Sequence, residues 1–420
     1  MIAGSILFLT LIALLAVRVN LAAILLFLAG YVHIVWGDAE LSYVIEDMWI
    51  SLDKEILLSL PLFLLCGSIM GHGKIASRLI DVMRALTAPM PGGMVVATIL
   101  SCAVFAAISG SSAVTLIAVG SIAYPVLVEQ GFGRRFSLGA LSAGGTLGVI
   151  IPPSIPMILY GIVTETSIID LFTAGIFPGL LLMFLLSGYS LFVTRHLPRG
   201  TFSGTVLWAS LKDGIWALMM PVILLGGIYS GYFSPTESAA VALGYAILVE
   251  TFIYREMTLG IIKNTMIETA IVMGTLFPLV AISQSINLLL TTHQVPQQLI
   301  ALIDGFVTNT FMFLLCINIL LLIVGCFMDM VSAILILAPI LLVLGRAYGV
   351  DPVHLGVIMT VNLEIGLLTP PIGINLFVAM TAFKEDFVDI ALGVLPFIAI
   401  MLLGLAVITY VPLLSLALLY

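Results

Sequence analysis

The chain has very little charge. Asp, Glu, Lys and Arg together make up 9% of its 420 residues, against about 25% in a soluble domain. So few charges cannot cover a water-facing surface, which excludes a secreted enzyme, a nucleic-acid binder and a disordered scaffold. Four cysteines, Cys66, Cys102, Cys316 and Cys326, all sit in apolar runs without a CxxC spacing. Zinc or redox chemistry and disulfides are therefore not expected. The five histidines, His33, His72, His196, His293 and His354, are scattered at span ends with no ligand spacing, so no metal centre is expected from them. A nucleotide-binding P-loop pattern is absent, and ATP is not the direct energy source. Residues 1–17 are apolar but lack a basic leader, and read as a retained span rather than a signal peptide. What remains is hydrophobic: 62% of residues, with a mean hydropathy of +1.27. The solvent of this surface is lipid.

A helical span needs about 20 apolar residues. Such runs fall near 2–17, 21–36, 56–72, 135–163, 171–194, 215–231, 236–254, 267–290, 353–382 and 391–412. Two more, 91–130 and 310–346, are too long for one span, are interrupted by small and polar residues, and read as re-entrant hairpins. Lys and Arg favour the cytoplasmic side. With the N-terminus outside, Arg18, Lys74, Arg78, Arg84, Arg134, Arg135, Arg195, Arg199, Lys212, Arg255, Lys263 and Lys384 are cytoplasmic, leaving only Lys54 and Arg346 of the 14 basic residues outside. The first hairpin then enters from the cytoplasm and the second from outside. Both termini are expected in the periplasm. The outer loops are acidic at Asp38-Ala39-Glu40, Glu46-Asp47 and Asp53 to Glu55; Glu165, Asp170, Glu237 and Asp304 read as solvated groups near the same surface.

The same order exposes an inverted repeat. Each half carries spans, a short amphipathic arm (74–88 and 298–309), a broken hairpin and two further spans. Residues 136–158 align with 354–376 without a gap, placing Gly148 on Gly366 and Pro152-Pro153 on Pro370-Pro371. Inverted repeats with matched broken helices mark secondary transporters, whose sites lie at the breaks. The fold class expected is an all-α polytopic membrane protein of inverted-repeat transporter type, with two re-entrant hairpins and two broken spans.

Four interruptions stand out. The first hairpin turns at Ile108-Ser109-Gly110-Ser111-Ser112-Ala113, and its following span breaks at Gly144-Gly145-Thr146-Leu147-Gly148 and Ile151-Pro152-Pro153-Ser154. The second turns near Gly325-Cys326-Phe327-Met328-Asp329, and its following span breaks at Asn362-Leu363-Glu364-Ile365-Gly366 and Thr369-Pro370-Pro371-Ile372-Gly373-Ile374-Asn375. Backbone groups freed inside lipid must find partners. Carbonyls at a half-helix C-terminus, with Ser, Thr or Asn oxygens, suit a hard cation; N–H groups at an N-terminus suit a carboxylate. At least two cation sites with an anionic substrate between them follow. Ser112, Ser154, Asn362, Glu364 and Asn375 are the candidates for substrate contact. Ser109 to Ser112 by themselves suit close helix packing better than ligand binding. Asp329 and Glu364, ionisable groups in apolar surroundings, read either as site groups or as helix-pairing groups. No Lys or Arg lies in any break, and Arg134 and Arg135 read as interface anchors rather than substrate ligands.

These four motifs in this order resemble the large (M, or DctM-like) membrane subunit of tripartite ATP-independent periplasmic (TRAP) transporters, from the first span to the last. The resemblance implies Na⁺-driven uptake of an organic acid such as a C4-dicarboxylate, sialic acid or a 2-oxo acid, with no organic cofactor, in the bacterial inner membrane. It implies two partners: a small four-helix (DctQ-like) membrane subunit, here expected as a separate chain, and a periplasmic substrate-binding protein. It implies an elevator mechanism. Transport segments are expected at 91–163 and 310–382, and scaffold at 1–90, 164–309 and 383–420. Carried over by motif, one Na⁺ site comprises Ser109, Gly110, Ser111, Ser112, Gly144, Gly145, Thr146 and Pro152. The other comprises Gly325, Met328, Asp329, Gly366, Thr369 and Pro370.

Three other readings compete. A stand-alone Na⁺/dicarboxylate symporter of related architecture would share the hairpins and need no binding protein. An intramembrane serine enzyme built on Ser111 or Ser112 lacks a base in reach, since no His lies in the apolar middle of a span. A channel could use broken helices, but the inverted duplication favours alternating access.

Overall fold

The computed structural model describes residues 10, 14, 21–36, 42–293 and 307–420. Apart from Thr10 and Leu14, the first expected span lies outside them, as do Asp38, Glu40, Asp304 and residues 298–306 of the second arm. Among the described residues the regular structure is helical throughout, with one isolated bridge between Pro91 and Arg199. A helix satisfies its own backbone, as a chain in lipid must.

The first half runs α1 (Leu21–Trp36), α2 (Ser42–Leu52), α3 (Ser59–His72), α4 (Ile75–Thr87), α5 (Gly93–Ser109), α6 (Ser112–Glu129), α7 (Arg134–Ile150), α8 (Ile155–Thr164) and α9 (Ile168–Thr194). The second runs α10 (Gly204–Tyr229), α11 (Pro235–Leu248), α12 (Leu259–Thr292), α13 (Thr310–Phe327), α14 (Met330–Ala347), α15 (Pro352–Leu367), α16 (Ile374–Phe383), α17 (Phe387–Tyr410) and the short α18 (Leu413–Leu416). Ten helical stretches among the described residues are long and apolar enough to cross a membrane. Several starts are set by caps. Ser234 and Glu237 form a capping box at α11, while Asn309, Asp329 and Asp351 accept backbone N–H bonds at α13, α14 and α15.

Two expectations need adjusting. The segment around Glu46 and Asp47, expected as an outer loop, is the helix α2. The spans expected to begin at 215 and 267 begin at Gly204 and Leu259, because helical hydrogen bonding continues through Lys212, Asp213, Lys263 and Glu268. A charge ends an apolar run without ending a helix.

Both long broken runs are helix–turn–helix hairpins, α5–α6 and α13–α14. One constant residue offset relates Gly110 to Met328, Ser112 to Met330, Arg134 to Pro352 and Pro152 to Pro370, so the ungapped repeat covers hairpin and broken span together. Packing crosses the repeats. The second leg of the first hairpin, α6, lies on α16, and the second leg of the other, α14, lies on α8. The broken span Arg134–Thr164 is the most enclosed: 89% of its most apolar window is buried, against 28% for Gly204–Tyr229. Helix α17 lies along α7, where a Cβ on Gly139 would stand 2.0 Å from the Gly393 carbonyl oxygen. A second group forms where α3 packs on α11, α4 on α10, and α12 on α1 and α2.

Candidate functional site

Both breaks follow from Pro-Pro. Proline supplies no N–H and drives the preceding residue out of helix. Helix α7 ends at Ile150 with Ile151 extended, the Pro152–Pro153 bond is cis, and α8 restarts with the Ser154 hydroxyl accepting from the Met157 N–H at 3.3 Å. Helix α15 ends at Leu367, the Pro370–Pro371 bond is cis, and α16 restarts after Gly373, whose φ of 49° is left-handed.

Each hairpin tip is bonded to the break of its own repeat. The Gly110 carbonyl accepts from the Ile155 N–H at 3.2 Å, and the Cys326 carbonyl from the Gly373 N–H at 3.3 Å. Glycine makes the approach possible. A Cβ on Gly148 would lie 2.5 Å from Thr115 Oγ1 and 2.6 Å from the Ser111 carbonyl oxygen; on its repeat partner Gly366 it would lie 2.6 Å from Gly325 Cα.

The first tip is an oxygen cluster. Ser109 Oγ is 2.7 Å from Thr115 Oγ1 and 3.4 Å from the Ser111 carbonyl oxygen. Of the tip residues Ser111 lies against Gly148, whereas Ser109 lies against Gly67 and Gly110 against Pro153 and Ile155. Gly144 and Gly145 instead face Cys102 and Leu116, the Thr146 hydroxyl bonds the Ala143 carbonyl at 2.6 Å, and Pro152 lies against Gly175. At the second tip Gly325 and Gly366 meet backbone to backbone, and the Thr369 hydroxyl bonds the Ile365 carbonyl at 2.8 Å. Met328 is extended at the end of α13. Asp329 is exposed rather than enclosed by apolar groups, and caps α14 by accepting from the Ser332 N–H at 2.9 Å and from the Ser332 hydroxyl. The tip lies at a surface of the fold, so a side chain flanked by apolar sequence still reaches outward.

A third cluster joins the repeats. Ser112 opens α6, Asn375 lies at the start of α16, and the Glu364 carboxyl from α15 lies beside them. Asn375 Nδ2 donates to Glu364 Oε1 at 2.7 Å and stands 3.2 Å from Ser112 Oγ. Glu364 is 0% exposed and its Oε2 has no partner. Two helix N-termini, each with free N–H groups, therefore converge on one buried carboxyl. Of the five candidates for substrate contact, three meet here. Ser154 is at the other break as a helix cap. Asn362, two residues from Glu364 and so on a different face of α15, donates to Asn318 Oδ1 at 2.5 Å and faces the second hairpin.

The sequence did not single out Thr115, although its position three residues after Ser112 puts it on the same helix face. Nor did it find the trio in which the buried His33 Nε2 lies 2.8 Å from the buried Ser285 Oγ, which donates to the half-buried Asp47 Oδ2 at 2.9 Å. These come from α1, α12 and α2, and no local spacing links them. The expected anchors Arg134 and Arg135 pair with Glu385 at 3.6 Å and Asp389 at 2.7 Å.

The spans, paired hairpins and paired breaks define the class: a polytopic membrane transporter built as an inverted duplication. The chain belongs to the family described as the tripartite ATP-independent periplasmic transporter DctM component, whose model matches residues 8–414. It is similar to the C4-dicarboxylate TRAP transporter large permease protein DctM of Pseudomonas aeruginosa, with 43% identity over 86% of each chain. It is also similar to the isethionate TRAP transporter permease protein DctMQ of Oleidesulfovibrio alaskensis, with 39% identity over 94% of this chain; there the match spans 62% of the relative's length. In fold it resembles the Alcanivorax borkumensis YdaH transporter, with a TM-score of 0.61, 13% identity, and coverage of 87% of this chain and 86% of that one. It is a transporter subunit and not an enzyme.

Proposed function

We propose that this TRAP large permease subunit imports a small organic anion by coupling it to Na⁺. The observation that carries the reading is the junction of Ser112, Asn375 and Glu364, where the N-termini of α6 and α16 meet across the repeats. Such a junction suits an anionic group, and the breaks hold no Lys or Arg to do the same work. The oxygen cluster of Ser109, Ser111 and Thr115 fits a hard monovalent cation: its donors are oxygens and none is a carboxylate. The second Na⁺ site falls at Gly325, Met328, Asp329, Gly366, Thr369 and Pro370.

Chemically the residues do little but bind, orient and exclude water. Na⁺ at each tip neutralises carbonyl dipoles and holds hairpin to break. The substrate anion then sits between the tips against helix N-termini, with Ser112 and Asn375 as donors and Glu364 taking a donor from substrate or solvent. The tips stop at the breaks, while α8 continues for 10 residues beyond, about 15 Å at 1.5 Å per residue; this supports re-entrant hairpins and a midplane site. In an elevator movement the hairpins and broken spans move as a body. The close Gly139–Gly393 crossing and the packing of α9 on α5, α7 and α8 lead us to place α9 and α17 with that body, although the sequence divided them off at 164 and 383. The scaffold is then α1–α4 and α10–α12.

The partners are a DctQ-like small subunit and a periplasmic binding protein, in the inner membrane with both termini periplasmic. The relative named DctMQ, of which this chain spans 62%, accords with the small subunit being fused in some proteins. The names of the relatives support C4-dicarboxylates or a sulfonate such as isethionate as cargo; sialic acid and 2-oxo acids stay within the same anionic class. In proteoliposomes, Ser112→Ala and Asp329→Ala should abolish Na⁺-dependent uptake while assembly is retained. Unchanged Na⁺ dependence in both variants refutes the site assignment.

A further inference from the structure

Glu250 is a fully buried carboxylate that the site above does not use. Beyond α11 the helix widens into a π turn, Val249–Ile253, a distortion that re-aims side chains relative to α-helical register. The carboxylate enters the N-terminus of a distant helix, the arm α4. Glu250 Oε2 accepts from the Lys74 N–H at 3.0 Å, and Oε1 from the Ile75 N–H at 2.8 Å. Helix α4 has no side-chain cap of its own, so a residue from the other half of the chain satisfies its free donors.

Gly73 makes the space. A Cβ there would stand 2.0 Å from Glu250 Cδ. Its φ of −95° and ψ of −160° are open to any residue, so the glycine serves the carboxylate and not the turn. Further contacts fasten the same end. Lys74 pairs with Glu256, and Arg78 reaches Asp213 of α10 at 3.7 Å. From its far end α4 leads through Pro89-Met90-Pro91-Gly92-Gly93 into the first hairpin.

We propose that Glu250 is a positioning residue for transport: it pins the start of the arm α4 to the α10–α11 pair, so that the first hairpin moves against a fixed arm. This rests on the moving-body reading above. Its signature is a slower cycle with unchanged ligand binding, because Glu250 touches neither cation nor substrate groups.

The test uses the chain co-reconstituted with its small subunit and binding protein, and a panel of succinate, isethionate and pyruvate under an inward Na⁺ gradient. Glu250→Ala and Gly73→Ala should each lower the maximal uptake rate at least about tenfold, since either one of the two lost hydrogen bonds is worth that much. Half-saturation for Na⁺ and for the transported acid should not move. The double variant should be no slower than the slower single, since a methyl group at position 73 has room once the carboxylate is gone. Hydrogen exchange with Na⁺ alone should show the Lys74 and Ile75 amides losing protection in both singles. Should Glu250→Ala not assemble, Glu250→Gln and Gly73→Ala carry the same test. Wild-type rates in the single variants, multiplied losses in the double, or a shifted Na⁺ half-saturation overturn the proposal. A wild type that accumulates none of the three acids counts against the transport reading instead; protected Lys74 and Ile75 amides in Gly73→Ala then still overturn the anchor.

Discussion

Asn375 is the side chain whose removal should cost the junction most. Its Nδ2 is the donor to Glu364 Oε1 at 2.7 Å, and Glu364 Oε2 has no partner. Asn375→Ala therefore leaves a fully buried carboxyl without a hydrogen bond. Leaving a buried polar group unsatisfied costs about 1–3 kcal/mol, and the lost contact to Ser112 adds about 1 kcal/mol. The expected loss is roughly 2–4 kcal/mol. Glu364→Gln keeps the shape and an acceptor for Asn375, and should cost less than about 1 kcal/mol. The double variant should fall short of the summed losses by about 1–2 kcal/mol, since residues that share a bond are not independent. For a chain of this length the unfolding entropy gives about 1 °C per kcal/mol. Thermal unfolding of the complex with its small subunit should show Asn375→Ala about 2–4 °C below wild type, with Glu364→Gln close to it. A Glu364→Gln variant less stable than Asn375→Ala, or strictly additive losses, would falsify the junction as drawn.

Other outcomes follow from the same geometry. Gly366→Ala drives a Cβ against Gly325 backbone, whereas Gly148→Ala presses partly on the Thr115 hydroxyl; both should lower stability by about 1–3 kcal/mol, Gly366→Ala more, as read by thermal unfolding. Equal melting temperatures for both and wild type would refute the close approach. Arg135 and Asp389 are 2.7 Å apart but 61% and 39% exposed on their side chains, so Arg135→Ala should cost under about 1 kcal/mol and the difference should shrink in high salt. A larger, salt-insensitive loss would assign Arg135 a different partner. Ser285→Ala removes the hydroxyl between His33 and Asp47 and should destabilise by about 1–3 kcal/mol without altering Na⁺ half-saturation of uptake; a shifted half-saturation would tie that trio to the cation sites.

Much of the architecture was legible because lipid leaves few choices. Apolar run length marked the span Glu55–His72 to within a residue, and the Pro-Pro pairs located both breaks through the chemistry of a missing N–H. The offset between Gly148 and Gly366 carried the repeat, and the structure extends it through the hairpins. Helix starts at Gly204 and Leu259 were missed because hydropathy stops at Lys212 and Lys263 while backbone bonding does not. Within the site, Ser112, Glu364 and Asn375 were individually visible as polar groups at breaks. Their meeting depends on α6 of one repeat lying on α16 of the other, which no local pattern encodes. Asn362 shows the converse: it shares a motif with Glu364, yet helical rotation turns it toward Asn318. Glu250 was hidden for a similar reason, since it reads as the polar end of a span until the π turn brings it to α4.

The central claim is that the paired tips and breaks couple a Na⁺ gradient to the import of an organic anion delivered by a binding protein. The direct measurement is accumulation of labelled succinate, isethionate or pyruvate in proteoliposomes holding this chain and its small subunit, with and without the binding protein and an inward Na⁺ gradient. Accumulation of one of these acids only when the binding protein and the gradient are both present is the result expected. Uptake by this chain alone, or uptake indifferent to Na⁺, would contradict the account.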